Sequence, residues 1–233
     1  LILNALKSRP LPEKERFEEV VEVLKPGEHI RFTQEVEDNN NSLAYAIQVG
    51  EKDFELQAKT SMVASIIEND FYTQMRTNQQ LGYIVWSFQQ PVENRIFLRL
   101  VIQSSTHGPF EMSKLVNFWL LDTKNLFDNL TEEEFERFRQ GLIISLEKEE
   151  DSITEAHTVL YTMATEEKGD FLIKSKLINA VKNLKKEDVV KTAHELFLSP
   201  ETPRIDVLMR AKGSVEPVPD DAINDISQFY KRK

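Results

Sequence analysis

The sequence predicts an α+β fold: a two-layer sandwich with a largely antiparallel sheet covered by helices on one face. Three observations predict it. Four strand-like runs come early and are separated by turn signals, with one helical segment among them. A long block of helical periodicity follows, with two helix-start signatures. One further strand-like run returns after the helices.

In order along the chain, residues 1–8 read as the end of a helix begun upstream, and Ser8-Arg9-Pro10-Leu11-Pro12 as a stiff break. Glu13 to Lys25 is charged and stops at the turn signal Pro26-Gly27, so residues 1–27 are expected to be a connector from a preceding domain. His29 to Val36 is the first strand. Ser42 to Val49 is the second, with Leu43, Tyr45, Ile47 and Val49 on one face. Asp38-Asn39-Asn40-Asn41 turns between them. From Asp53 the period becomes helical, carried by Met62, Val63, Ile66, Ile67 and Phe71, and this helix should end near Thr73–Thr77. Tyr83 to Gln89 and Ile96 to Ile102 are two strands, with Pro91-Val92-Glu93-Asn94 as their hairpin turn. Ile84, Trp86 and Phe88 are expected to face the helices together with Leu98, Leu100 and Ile102. Glu111 to Phe127 is a helix. Thr131-Glu132-Glu133-Glu134 is a capping box opening another, and Ser152-Ile153-Thr154-Glu155 opens a third in the same way. Lys174 to Asn183 and Lys186 to Phe197 are shorter helices, and Pro203 to Met209 is the last strand. The main domain is therefore placed at 28–211. Residues 212–233 form a tail with one short helix after Asp220.

Composition excludes several classes of function. With 233 residues, 40% hydrophobic and 29% charged, the chain reads as globular rather than disordered. No apolar run approaches the ~18–20 residues needed to cross a bilayer. The net charge of −10 argues against non-specific binding to a phosphate backbone. It is compatible with a basic peptide or partner surface, and with simple solubility. Without cysteine there are no disulfides, thiolate metal sites or thiol nucleophiles. The start, Leu1-Ile2-Leu3-Asn4-Ala5-Leu6-Lys7, lacks the form of a secretory signal and reads as a chain entered in its middle.

The sequence carries no complete set of residues for self-sufficient chemistry. His29, His107, His157 and His194 show no pair at zinc-ligand spacing, so neither HEXXH nor HXXEH is present. The acidic run Glu147 to Asp151 lacks the glycine and spaced ligands of a calcium loop and reads as a solvated helix end. Nucleophile elbows, phosphate loops and dinucleotide fingerprints are absent. What remains is Arg76-Thr77-Asn78-Gln79-Gln80-Leu81-Gly82-Tyr83. It sets a guanidinium and a phenol seven residues apart across a helix-to-strand joint held by Gly82. On chemistry alone the plainer reading comes first: a solvated Arg near a helix C-terminus, where it suits the dipole, and a packed strand Tyr.

The segment Phe71-Tyr72-Thr73-Gln74-Met75 through Tyr83-Ile84-Val85 resembles the C-terminal half of the pitrilysin and insulin-degrading-enzyme family, the inverted-zinc-motif (M16-type) metallopeptidases. That family carries an Arg-Thr-x-x-Gln-Leu-Gly-Tyr signature between a helix and a strand. Leu98 to Ser104, Leu130 to Phe135 and Leu184 to Val189 are similar to its next strand, its next helix start and the start of its last helix. Lys185 stands where a capping Thr is common. The resemblance implies a processing-peptidase-like domain in one half of a two-half zinc endopeptidase that degrades peptides in a closed chamber. Zinc, the implied cofactor, would be bound by the N-terminal half of the same enzyme, with no metal in this chain. Arg76 and Tyr83 would reach the substrate and act in catalysis, Arg76 by positioning and Tyr83 by stabilising an oxyanion. Tyr72 would line the pocket after the cleaved bond, or simply pack on its helix. Implied partners are the N-terminal half and peptide substrates, and a homodimer is left open. Localisation would be periplasmic in a Gram-negative bacterium and cytosolic otherwise. The competing reading is an inactive family member acting as an interaction or scaffold domain.

Overall fold

The computed structural model describes residues 12, 15, 21–225, 227 and 228. The expected upstream helix end, most of the connector and the end of the tail lie outside the described residues. The described chain runs β1 (His29–Glu35), β2 (Asn41–Glu51), α1 (Phe54–Tyr72), a π-helical turn (Thr73–Asn78), β3 (Ile84–Val92) and β4 (Arg95–Ser104). It continues through α2 (Pro109–Asp128), α3 (Glu132–Glu147), α4 (Ile153–Thr165), α5 (Ile173–Lys182), α6 (Lys186–Leu198) and β5 (Arg204–Arg210). No described helix is long and apolar enough to cross a membrane.

The helix starts follow their caps. Asp53 accepts from the Leu56 N–H at 2.9 Å and opens α1. Thr131 and Glu134 form a complete capping box on α3. At α4 the box is half made: Ser152 accepts from the Glu155 N–H, but the Glu155 carboxylate turns to the Asp151 N–H at 2.9 Å. Lys185 gives α6 no side-chain cap. The start of α2 is capped from far away in sequence. The Glu216 carboxylate accepts from the N–H groups of Phe110 (3.1 Å) and Glu111 (2.8 Å), where the helix dipole favours negative charge.

The five strands lie in the order β1-β5-β2-β4-β3. All pairings are antiparallel except β1 with β5, which is parallel. β1 and β2 are thus consecutive but not paired, because β5 lies between them. β3 and β4 form the expected hairpin. Its turn is shorter than the one read from sequence: β3 runs on through Val92, and Glu93 takes the left-handed conformation (φ 49).

One face of the sheet packs under the helices. Leu43, Tyr45 and Ile47 of β2, Leu98, Leu100 and Ile102 of β4, and Leu208 of β5 meet Met62, Ile66, Ile67 and Phe71 of α1 and Trp119 and Phe127 of α2 in one buried cluster. Two buried polar groups in this layer, on Tyr45 and Asp206, find partners on α2. The Tyr45 hydroxyl donates to Asn117 Oδ1 at 3.0 Å, and burial pushes its pKa upward. The fully buried Asp206 carboxylate accepts from Ser113 Oγ at 2.6 Å and lies 2.9 Å from His29 Nε2.

The expected face of β3 is wrong by one residue. Val85 pairs with Ile102 and is buried, whereas Trp86 pairs with Val101 and is 58% exposed. Ile84, Trp86 and Phe88 therefore look away from the helices, and Val85, Ser87 and Gln89 look toward them. The register is fixed upstream by Leu81, which is fully buried, so the alternation starts one step later than the apolar residues of β3 suggest. The open face is partly covered by the chain itself. Leu24 and Ile223 pack with Ile30, Phe32 and Ile205 in a second cluster at the β1 side. Gln48 ties the connector end to β2, accepting from the Leu24 N–H and donating to the Glu22 carbonyl, each at 3.0 Å.

Candidate functional site

The site is built where α1 runs out. Phe71 is fully buried and the Trp119 indole donates to Asp70 Oδ2 at 2.7 Å, so the last turn of α1 is fixed against the core and α2. The helix then widens. The Gln79 N–H reaches back five residues to the Gln74 carbonyl at 2.9 Å, and the Leu81 N–H reaches the Met75 carbonyl at 3.0 Å. Such π turns are uncommon and recur at functional sites. Met75 and Leu81 anchor both ends of the segment in the core. Gln80 adopts a left-handed backbone (φ 55), which reverses the chain. Gly82 then passes so close to β4 that a Cβ there would lie 1.9 Å from the Gln103 carbonyl oxygen. Each position of the segment thus has a physical task, and the outcome is the placement of Tyr83.

The three residues singled out in the sequence come together. Tyr72 and Arg76 share a face of the helix at i, i+4. Arg76 Cζ lies 5.0 Å from the centroid of the Tyr72 ring and 4.8 Å from that of Tyr83. Two phenol rings therefore hold one guanidinium, each contact contributing about 0.5–1 kcal/mol at such exposure. Tyr83 is 81% exposed. Among the described residues, none accepts a hydrogen bond from the Arg76 guanidinium or pairs with it as a carboxylate, and the Tyr83 hydroxyl has no partner. A guanidinium carries five N–H donors in a rigid fork. The arrangement leaves a guanidinium and a phenol hydroxyl side by side with their donors unspent among the described residues, which carbonyl or carboxylate oxygen could accept from.

The histidines are scattered. His29 faces Asp206, and His194 Nε2 lies 3.1 Å from Asp128 Oδ1. His107 Nδ1 contacts Thr106 Oγ1, and the His157 ring stacks on Tyr161. Among the described residues no three His, Asp or Glu side chains converge as metal ligands. Their scattered placement does not fit a zinc site.

Sequence reasoning missed Trp86 and Phe88 as surface residues. Alternation along β3 offered two faces, and the more apolar one was assigned to the core. Nothing within the strand distinguishes them.

Residues 62–160 match the family described as PQQ synthase PqqF-like, C-terminal lobe domain 4. The match includes the π turn and Tyr83. A nardilysin-like protein of Arabidopsis thaliana is 25% identical over 195 residues, covering 80% of this chain and 19% of that protein. Insulin-degrading enzyme-like 2 of the same plant is 33% identical over 114 residues, covering 48% of this chain and 12% of its own length. The crystal structure of pitrilysin superposes with a TM-score of 0.76 at 20% identity, over 91% of this chain and 23% of that one. The chain thus spans less than a quarter of the length of these proteins. Motif, fold and relatives point the same way: the chain is similar to domains in the C-terminal lobe of M16 metallopeptidases.

Proposed function

We propose that this domain supplies substrate-positioning and oxyanion-stabilising groups to a zinc endopeptidase whose metal is held by another part of the full-length protein. The observation that carries this reading is the Arg76 guanidinium held at 5.0 Å and 4.8 Å by the rings of Tyr72 and Tyr83, with its donors unspent. Bound zinc would activate water for attack on a peptide carbonyl. The residues of this chain do the rest of the work assigned to it. Arg76 donates to carbonyl oxygens of the peptide backbone, fixing register in the ground state and the transition state alike. Its stacking on two rings removes the rotamer freedom an isolated Arg would lose on binding. The exposed Tyr83 hydroxyl donates to the oxygen on which negative charge develops, an interaction that strengthens as the transition state forms. Tyr72 orients Arg76 and adds an apolar wall. A peptide substrate also suits the charge balance, since a net −10 favours approach of basic segments over anionic polymers.

Arg76→Ala in the full-length, zinc-loaded protein tests this. KM for a peptide substrate should rise about ten- to hundredfold, the cost of losing hydrogen bonds from a charged donor. Arg76→Lys should recover little of the loss, because a lysine lacks the planar fork that the rings hold. An unchanged KM in Arg76→Ala would remove the positioning role and favour a scaffold domain.

A further inference from the structure

We propose that the cleft between the end of α1 and the middle of α2 is a binding site for an arginine side chain of a peptide. The site does not depend on the catalytic reading above and stands on its own residues.

The cleft encloses about 420 Å³, within the range of about 300–1,000 Å³ that small-ligand sites occupy. Two elements form its walls. Asp70, Gln74 and Met75 come from the end of α1 and the π turn. Leu115, Phe118, Trp119 and Asp122 come from α2, where their spacing of i, i+3, i+4 and i+7 makes one stripe. Asp70 and Gln74 lie two residues before Tyr72 and Arg76, and positions two apart do not share a helix face. Arg76 is not among the lining residues, and neither is any other Lys or Arg.

The charged groups that line the cleft, Asp70 and Asp122, are both acidic. Asp70 is held in place. The Trp119 indole donates to its Oδ2 at 2.7 Å, and the Trp119 ring packs on buried Phe71 at 4.8 Å between centroids. Asp70 Oδ1 is left without a hydrogen bond among the described residues. Asp122 is exposed and has neither ion pair nor hydrogen bond there. Lys124, two positions on, is taken by Asp128. One turn before Asp122, the Phe118 ring is 65% exposed at the same cleft.

Unspent carboxylates beside an apolar and aromatic wall call for a cation with an apolar stem. An arginine side chain meets each part. Its methylenes lie against Leu115 and Met75, its planar head stacks on Phe118, and its N–H fork donates to Asp70 and Asp122. The two carboxylates repel a phosphate, and no third acidic or histidine ligand is present among the described residues to hold a metal ion. The net charge of −10 favours the approach of a basic peptide.

The test uses the full-length protein labelled with 5-fluorotryptophan, with the Trp119 fluorine resonance assigned by Trp119→Phe. This signal reports on the cleft alone, whatever binds elsewhere. The probes are N-acetyl-arginine amide and its neutral isostere N-acetyl-citrulline amide. The arginine probe should shift the Trp119 signal saturably with a Kd of about 1 mM, as suits a ligand of this size. The citrulline probe should bind about tenfold more weakly, for want of a charged donor. Asp122→Asn alters an exposed side chain without partners among the described residues, so the fold should be kept. It should weaken the arginine probe about tenfold and the citrulline probe less than twofold, the coupling expected of a direct contact. A Trp119 signal that does not saturate, equal binding of the two probes, or an arginine Kd unchanged in Asp122→Asn overturns the proposal. Each of these readouts is independent of turnover, so failure of the Arg76 and Tyr83 reading leaves this one to be judged on its own data.

Discussion

Replacing Gly82 with alanine probes how tightly the site depends on one contact. Gly82 does not occupy a left-handed backbone conformation, so alanine is acceptable there as far as the backbone angles are concerned. The difficulty is space. The added methyl would lie 1.9 Å from the Gln103 carbonyl oxygen, whereas ordinary contact begins at 3.4 Å. The partner is backbone, and Gln103 is held in the ladder opposite Ile84, so no side chain can swing aside. The loop and β4 must separate by about 1.5 Å, at an overpacking cost of about 1–3 kcal/mol. Tyr83 is the next residue and moves with the loop. A displacement of about 1 Å at a positioning group typically costs on the order of 10²-fold in rate. In the full-length protein, kcat for a peptide should fall by roughly that factor in Gly82→Ala, with zinc content unchanged. Turnover within twofold of wild type would refute the reasoning. It would mean either that the loop tolerates the shift or that the position of Tyr83 does not matter.

Other expectations follow from the same structure. Asp206→Ala removes the carboxylate that pairs with Ser113 and His29 in the core and should cost about 2–3 kcal/mol in denaturant unfolding. Glu216→Ala uncaps α2 and should cost about 1 kcal/mol, with faster amide exchange at Phe110 and Glu111. The Thr131 backbone N–H and hydroxyl hold the Glu134 carboxyl below its usual range. A depressed folded pKa stabilises above the unfolded value of about 4.3, and that contribution is lost as pH falls through the folded pKa. Glu134→Gln should therefore flatten the acid limb of a melting-temperature profile and leave the rest of the curve parallel to wild type.

Much of the domain was legible because its signals are local. Asp53, Thr131 and Ser152 announce helix starts through bonds made within three residues. Tyr72 and Arg76 fall together because i, i+4 is a property of any helix. Other features depend on groups distant in the chain. The cap of α2 comes from Glu216, and the buried Asp206 meets His29 and Ser113 only after β5 inserts between β1 and β2. Turn signals between β1 and β2 suggest a hairpin and carry no trace of that insertion. The face of β3 failed for a different reason. Apolarity marks a surface meant to be covered, but not by what, and Trp86 and Phe88 lie on the side away from the helices. Local pattern and fold part company along this edge strand. The return of Tyr83 onto Arg76 needed the left-handed Gln80 and the close pass of Gly82; of these, only the glycine is visible in the sequence.

The most direct test of the account is the steady-state kinetics of Tyr83→Phe in the full-length, zinc-loaded protein. The substitution removes one hydroxyl that is without a partner among the described residues, and keeps the ring that packs on Arg76. The fold and the zinc content should therefore be unaffected. Because the hydroxyl is assigned to charge that exists only in the transition state, kcat should fall about 10²–10³-fold while KM changes little. Near-wild-type kcat in a folded, zinc-loaded Tyr83→Phe protein would contradict the account and leave this domain as a wall beside the chemistry.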